Sequence, residues 1–274
     1  MKLKKTLSIL AVVVFAVACT TTNPFTGKQT LALVPNSQIF PMAFQEYQSF
    51  LTEHKVVKGT ADAQRITTVG QKIAAASERW LTANGYAGYL ENYQWEYNLV
   101  EDPAVNAWCM PGGKIVFYTG ILPIAKNEAG IAAIMGHEVA HALANHGQQR
   151  MSAGQLQSLG AVAGNIALSK DPKNQQIFNQ AYGIGTTVGV MLPFSRNHES
   201  EADQIGLTLM AIAGYDPIVA AELWQRMKAN AGGNAPPEFL STHPSSDTRI
   251  NNITAWAPQA KAEARKFGVT TFKK

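Results

Sequence analysis

Residues 137–141 read His137-Glu138-Val139-Ala140-His141. On an α-helix, histidines at i and i+4 stack on one face and can hold one zinc ion, while Glu138 projects about 100° round the same turn. That gives a ligand pair with a general base beside it. A purely structural helix would place two histidines and a carboxylate among Ile131, Ile134, Met135 and Ala142, where polar groups without partners are costly. The five residues therefore predict a helical domain built around a metal, with the helix starting near Asn127, whose side chain can cap it.

A catalytic zinc needs a third protein ligand and an open fourth position. His146 lies nine residues after His137, about 180° round a continuing helix, so it falls on the wrong face and reads as a helix C-terminal histidine. The spacing with a third histidine ten residues on is also missed, because Ala144 and Gly147 stand where that pattern has glycine and histidine. The better source is Ser195-Arg196-Asn197-His198-Glu199-Ser200-Glu201-Ala202-Asp203. Glu199 and Asp203 share a helix face one turn apart and Glu201 points away. One carboxylate can bind zinc while the other accepts from a ligand histidine's second ring nitrogen, and Glu199 is preferred as the ligand over His198.

Outward from this centre, Tyr93, Trp95, Tyr97 and Leu99 alternate with polar residues as a half-buried strand does, and Lys114 to Tyr118 forms a second strand after the Pro111-Gly112-Gly113 break. Ile39, Met42, Tyr47, Phe50 and Leu51 mark one amphipathic helix, and Ile66, Val69, Ile73 and Trp80 another. From Met151 to Met191 apolar and small residues dominate, with Gly154, Gly160, Gly164, Gly183, Gly185 and Gly189 among them. Gln155, Gln157, Ser158, Lys170, Asp171 and Lys173 argue there for a close-packed helical hairpin rather than membrane spans. Tyr215-Asp216-Pro217 reads as the cap and first turn of a further helix carrying Trp224 and Met227.

Lys2, Lys4 and Lys5 precede an apolar run from Leu7 to Ala18, the length of a signal-peptide core rather than a span. Ala16-Val17-Ala18-Cys19 resembles the bacterial lipobox, which implies a lipid on Cys19. Thr20 in place of aspartate then implies the periplasmic face of an outer membrane. The expected organisation is a signal peptide over 1–18, a lipidated tether over 19–30 and one domain over 31–274. Lys+Arg 23 against Asp+Glu 19 becomes nearly neutral without the three leader lysines, so a nucleic-acid partner is not expected. With Cys19 lipidated, Cys109 has no disulfide partner and reads as a small buried hydrophobe.

The pairing of H-E-x-x-H with S-R-x-x-E-x-E-A-D resembles the HtpX-like and BepA-like zinc metallopeptidases, relatives of the CaaX prenyl proteases. Asn23-Pro24 through Gly27 matches that family too, as do Asn106-Ala107 with Pro111-Gly112-Gly113 and Gly120, and Thr242-His243-Pro244 with Arg249. The resemblance implies an α+β, mainly helical, gluzincin-type domain with a small antiparallel sheet beside the metal helix. It implies one zinc per chain held by His137, His141 and Glu199, with Glu138 as base and Asp203 orienting a ligand. A peptide-binding strand edge is expected at Gly112 to Phe117, with Asn106, Gly112 and Gly113 contacting substrate. His243 is expected at the site, either filling the fourth zinc position at rest or donating to the oxyanion.

The implied function is endopeptidase quality control of misfolded or unassembled envelope proteins. The alternative is a latent, chaperone-like assembly factor for outer-membrane proteins using the same cleft. Partners implied are unfolded or misassembled substrates, the membrane through Cys19, and outer-membrane assembly machinery.

Overall fold

The computed structural model describes residues 20–186, 191–230 and 238–274. The leader, Cys19, Gly189 and the Asn234-Ala235-Pro236-Pro237 stretch lie outside the described residues. The described chain falls into two compact units, one of 20–39 with 145–186 and 191–196, the other of 40–144 with 197–230 and 238–274.

The larger unit takes in most of α1 (Asn36–Glu53), then β3 (Val56–Val57), α2 (Ala61–Ala83), β4 (Glu96–Val100), β5 (Ala107–Met110) and β6 (Lys114–Tyr118). A single 3₁₀ turn leads into α3 (Leu122–Ala125), followed by α4 (Glu128–Leu143), most of α7 (Leu192–Ile212), α8 (Ile218–Asn230), α9 (Glu238–Thr242) and α10 (Asp247–Lys266). The smaller unit pairs β1 (Thr20–Thr22) with β2 (Gln29–Leu31) and carries the helices α5 (His146–Ala167) and α6 (Pro172–Thr186). The fold is α+β and mainly helical, as expected for a gluzincin-type domain.

The sheet runs β3-β4-β6-β5. It is mixed rather than wholly antiparallel, because β4 and β6 are parallel, with Glu96 opposite Lys114 and Val100 opposite Tyr118. The strand edge expected at Gly112 to Phe117 is corrected: β6 lies inside the sheet, between β4 and β5. Its run Ile115-Val116-Phe117-Tyr118 is buried throughout and has no polar alternation, so it is stable only with neighbours on both sides. The half-buried β5 is the edge, and it packs against α4. Gly112 and Gly113 form the β5–β6 turn at φ 84 and 89, where side chains are disfavoured. Their carbonyls accept from Gln94 and Glu96 N–H, which ties the turn to the stretch entering β4.

Helix α4 is buried on all sides from Ala129 to Leu143, each fully buried isoleucine adding roughly 1.5–3 kcal/mol. Asn127 caps it by accepting from Gly130 N–H at 2.9 Å, as its sequence predicts. Its other end corrects the reading of His146 as a C-terminal residue. The helix stops at Leu143, Asn145 turns left-handed at φ 56, and His146 opens α5, fully buried. Asp216 likewise caps α8, accepting from Ile218 N–H at 3.1 Å.

Candidate metal centre

Helices α4 and α7 approach backbone to backbone at one point. A Cβ on Gly136 would sit 2.8 Å from the Gly206 carbonyl oxygen, and one on Gly206 would sit 2.8 Å from His137 N. Only glycine on both helices permits that approach, and it brings the carboxylates of Glu199 and Asp203, on the preceding turns of α7, to the histidines of α4. The third contributor is His243, directly after α9, whose N–H donates to the Phe239 carbonyl at 2.8 Å.

His137, His141, Glu199 and His243 form a group whose ligand atoms all lie within 4.8 Å of one another. His137 Nε2 is 3.1 Å from His141 Nε2, 3.2 Å from His243 Nδ1 and 3.4 Å from Glu199 Oε2. Glu199 is 3.3 Å from His141 Nε2 and 2.9 Å from His243 Nδ1. A tetrahedral ion with ligands at about 2.0 Å has ligand–ligand edges of about 3.3 Å, which these separations match. Charge points the same way. Glu138, Glu199 and Asp203 are buried against one buried guanidinium, Arg249, and a divalent cation would neutralise the remaining two negative charges. The residues present fit a metal ion.

Asp203 Oδ1 lies 2.9 Å from His137 Nδ1, the ring nitrogen that faces away from the ligand group. Burial opposes protonation of His137, yet its hydrogen bonds to Asp203 and Glu199 prevail and raise its pKa to about 9 without metal. Burial also opposes the charge on Glu199, but hydrogen bonds from His137, His141 and His243 hold its carboxyl well below the usual range. For Asp203 burial is likewise overcome, chiefly by Arg249. Glu138 stands on the same helix turn, with Oε1 3.5 Å from His243 Nε2. Burial and then the charge of Glu138 push the Cys109 thiol up, and it stays neutral outside the ligand group. His198 is buried but is not among the four, and Asn106 is buried at the start of β5, its side chain accepting from Ala107 N–H.

One residue at the centre carried no role in the sequence reading. Arg249 grips Asp203 with two bonds of 2.7 and 2.8 Å, reaches Glu199 Oε2 at 3.2 Å and donates to the Pro244 carbonyl at 3.2 Å. Its guanidinium lies 3.5 Å from the centre of the Trp224 ring. The available signal is its place at the third position of α10 after the Ser246 cap, where a cation opposes the helix dipole. A basic residue there must be used elsewhere.

The pattern of Peptidase family M48 matches residues 61–257, more than half the chain and all the α4 and α7 ligands. The chain is 39% identical over 176 residues to "Mitochondrial metalloendopeptidase OMA1" of Schizosaccharomyces pombe, covering 64% of this chain and 50% of that protein. To "Metalloendopeptidase OMA1, mitochondrial" of Homo sapiens it is 28% identical over 92% of this chain and 48% of the relative. To the "Beta-barrel assembly-enhancing protease" of Escherichia coli it is 27% identical over 60% of this chain and 34% of the relative. The chain thus spans about half the length, or less, of the curated relatives it matches. These matches correct the expected location on the periplasmic face of an outer membrane. Relatives from fission yeast, budding yeast, plant and human carry mitochondrial names, not bacterial-envelope ones. With the family pattern laid over the ligand-bearing helices, the chain belongs to peptidase family M48, a family of metallopeptidases.

Proposed function

We propose that the chain is a zinc-dependent endopeptidase that hydrolyses peptide bonds of misfolded or unassembled proteins, with one zinc per chain. The observation that carries this reading is the convergence of His137, His141 and Glu199 on one point with Glu138 beside it. Zinc held there would polarise a scissile carbonyl and acidify a water molecule. Glu138 takes a proton from the attacking water as its oxygen bonds to the carbonyl carbon, then delivers that proton to the amine nitrogen as the C–N bond breaks. Asp203, gripped by Arg249, fixes the ring of His137 so that Nε2 faces the ligand group. The edge strand β5 offers backbone groups to which an extended substrate can add regardless of its sequence, which suits unfolded chains as substrates.

His243 supplies the fourth ligand atom of the group, and this supports its role as a latch that closes the open position at rest. The reading is tested by metal analysis of the purified protein together with casein digestion, with and without chelator, for wild type and His243→Ala. About one zinc per chain, digestion abolished by chelator and faster digestion by His243→Ala are expected. A loss of about 10²-fold in kcat for His243→Ala, with zinc retained, would reassign His243 as an oxyanion donor. Metal content unaffected by His137→Ala/His141→Ala would defeat the zinc assignment.

A further inference from the structure

Six of the seven large hydrophobic side chains exposed among the described residues belong to one hairpin, α5 and α6: Met151, Leu156, Leu159, Val162 and Ile166 on α5, and Ile177 on α6. At about 100° per residue the five on α5 fall within one sector of about 140°. The opposite side of α5 is where the hairpin packs, with Gly160 against Tyr182 and Gly164 against Phe178. Gln157 donates to Thr186 there, and Asn165 pairs with Asn179. The apolar sector therefore points away from α6, and Leu159 and Ile166 are 63% and 68% exposed. The outer side of α6 is more polar, with Lys173, Asn174, Gln176 and Gln180 exposed around Ile177. The exposed hydrocarbon of the hairpin is thus concentrated on α5, with five of its six residues there.

We infer that the outer face of α5 docks on a lipid surface carrying anionic headgroups. Charge selects this occupant. Helix α5 has no acidic residue, and the hairpin's exposed cations Arg150, Lys170 and Lys173 outnumber its acids, with Lys170 in the turn just beyond the apolar sector. The one acid of the hairpin, Asp171, is engaged by Asn174 at 2.6 Å. Exposed aliphatic residues on a net positive hairpin match the boundary between acyl chains and acidic headgroups. The exposed residues of the face also include none of the aromatic anchors that mark protein interface cores. Contact is along the surface, since no described helix is long and apolar enough to cross a membrane.

The test uses the full chain with vesicles of phosphatidylcholine, with and without phosphatidylglycerol. A tryptophan introduced by Val162→Trp, read as a difference from the parent spectrum, reports this face alone, whatever the N-terminal segment does. Expected are a blue shift and quenching by brominated acyl chains on anionic vesicles. The shift should fall at least about tenfold in apparent affinity when Lys170→Glu and Lys173→Glu, or Leu159→Gln and Ile166→Gln, are added. Emission unchanged on both kinds of vesicle would overturn the inference. So would a blue shift that needs no lipid and tracks self-association, because a second copy would then be the occupant.

Discussion

The metal centre and the α5–α6 hairpin sort side chains in opposite senses. At the centre, three carboxylates, three histidines and an arginine are withdrawn from water, and each contact among them is a hydrogen bond, an ion pair or a ligand edge. On the hairpin, leucine, valine and isoleucine stand in water while glycine and asparagine fill the helix contact. Burying charge and exposing hydrocarbon are each unfavourable alone, so each region is intelligible only with a partner of complementary chemistry, a cation for the first and a hydrocarbon boundary for the second. The difference teaches where substitution is tolerated. The centre is over-determined from inside, and the hairpin face is constrained only from outside.

The largest expected effect breaks chemistry while leaving that sorting intact. Glu138→Gln keeps shape and burial but removes the proton acceptor, so kcat for casein or a quenched peptide should fall about 10²–10⁴-fold with zinc content unchanged. Binding of unfolded protein should survive. Wild-type turnover in this variant would leave a chaperone-like holding role as the better account of the cleft.

Arg249 tests whether the centre is over-determined. Arg249→Met leaves Asp203 buried with its two strongest bonds gone, and breaking a buried pair from one side costs about 3–5 kcal/mol. Urea denaturation should show that loss, and zinc affinity should fall with it because His137 loses its anchored partner. A change below about 1 kcal/mol would mean that the two carboxylates are satisfied without the guanidinium.

How far these features are legible in sequence follows from their range. His137, Glu138 and His141, the Asn127 cap and the shared face of Glu199 and Asp203 are local, set by spacing along one helix, and all appear where spacing puts them. His243 came through family resemblance, since no periodicity links it to α4. The backbone contact of Gly136 with Gly206 and the grip of Arg249 on Asp203 join segments far apart in the chain, and nothing in either segment names the other. The sheet edge failed for the same reason, because which of β5 and β6 lies inside depends on β4 arriving in parallel. The exposed face of α5 was read as part of a close-packed hairpin, which is true of one side of the helix only.

The metal-free protein should show its dependence on a missing cation through pH. His137 is raised from an ordinary 6.5 to about 9, so its protonated form contributes stability that is complete below pH 6.5 and lost as pH rises through about 9. Glu199 and Asp203 are held low and stay ionised across this window, so they add no slope. Chelator-treated protein should therefore lose up to about 3 kcal/mol between pH 6.5 and 9. Zinc affinity should rise over the same range by up to about tenfold per unit, because binding displaces that proton. Stability of the metal-free form that rises with pH would show that His137 is neutral and the carboxylates are balanced by something other than its charge.

The smallest expected effect sharpens the comparison most. Leu159→Gln and Ile166→Gln remove hydrocarbon that already faces water, from a helix whose packing side is held by Gly160, Gly164, Tyr182 and Phe178. Glutamine has nearly the helix propensity of leucine and exceeds that of isoleucine, so unfolding in lipid-free buffer should change by no more than about 0.5 kcal/mol for either. The same chemistry at Ile131 or Ile134, buried on α4, should cost several times more, because it strands an amide without partners. A loss of about 2 kcal/mol at Leu159 in dilute monomeric protein would mean that another segment of this chain covers the face. The hairpin would then obey the same inside-out rule as the metal centre, with a partner supplied from within.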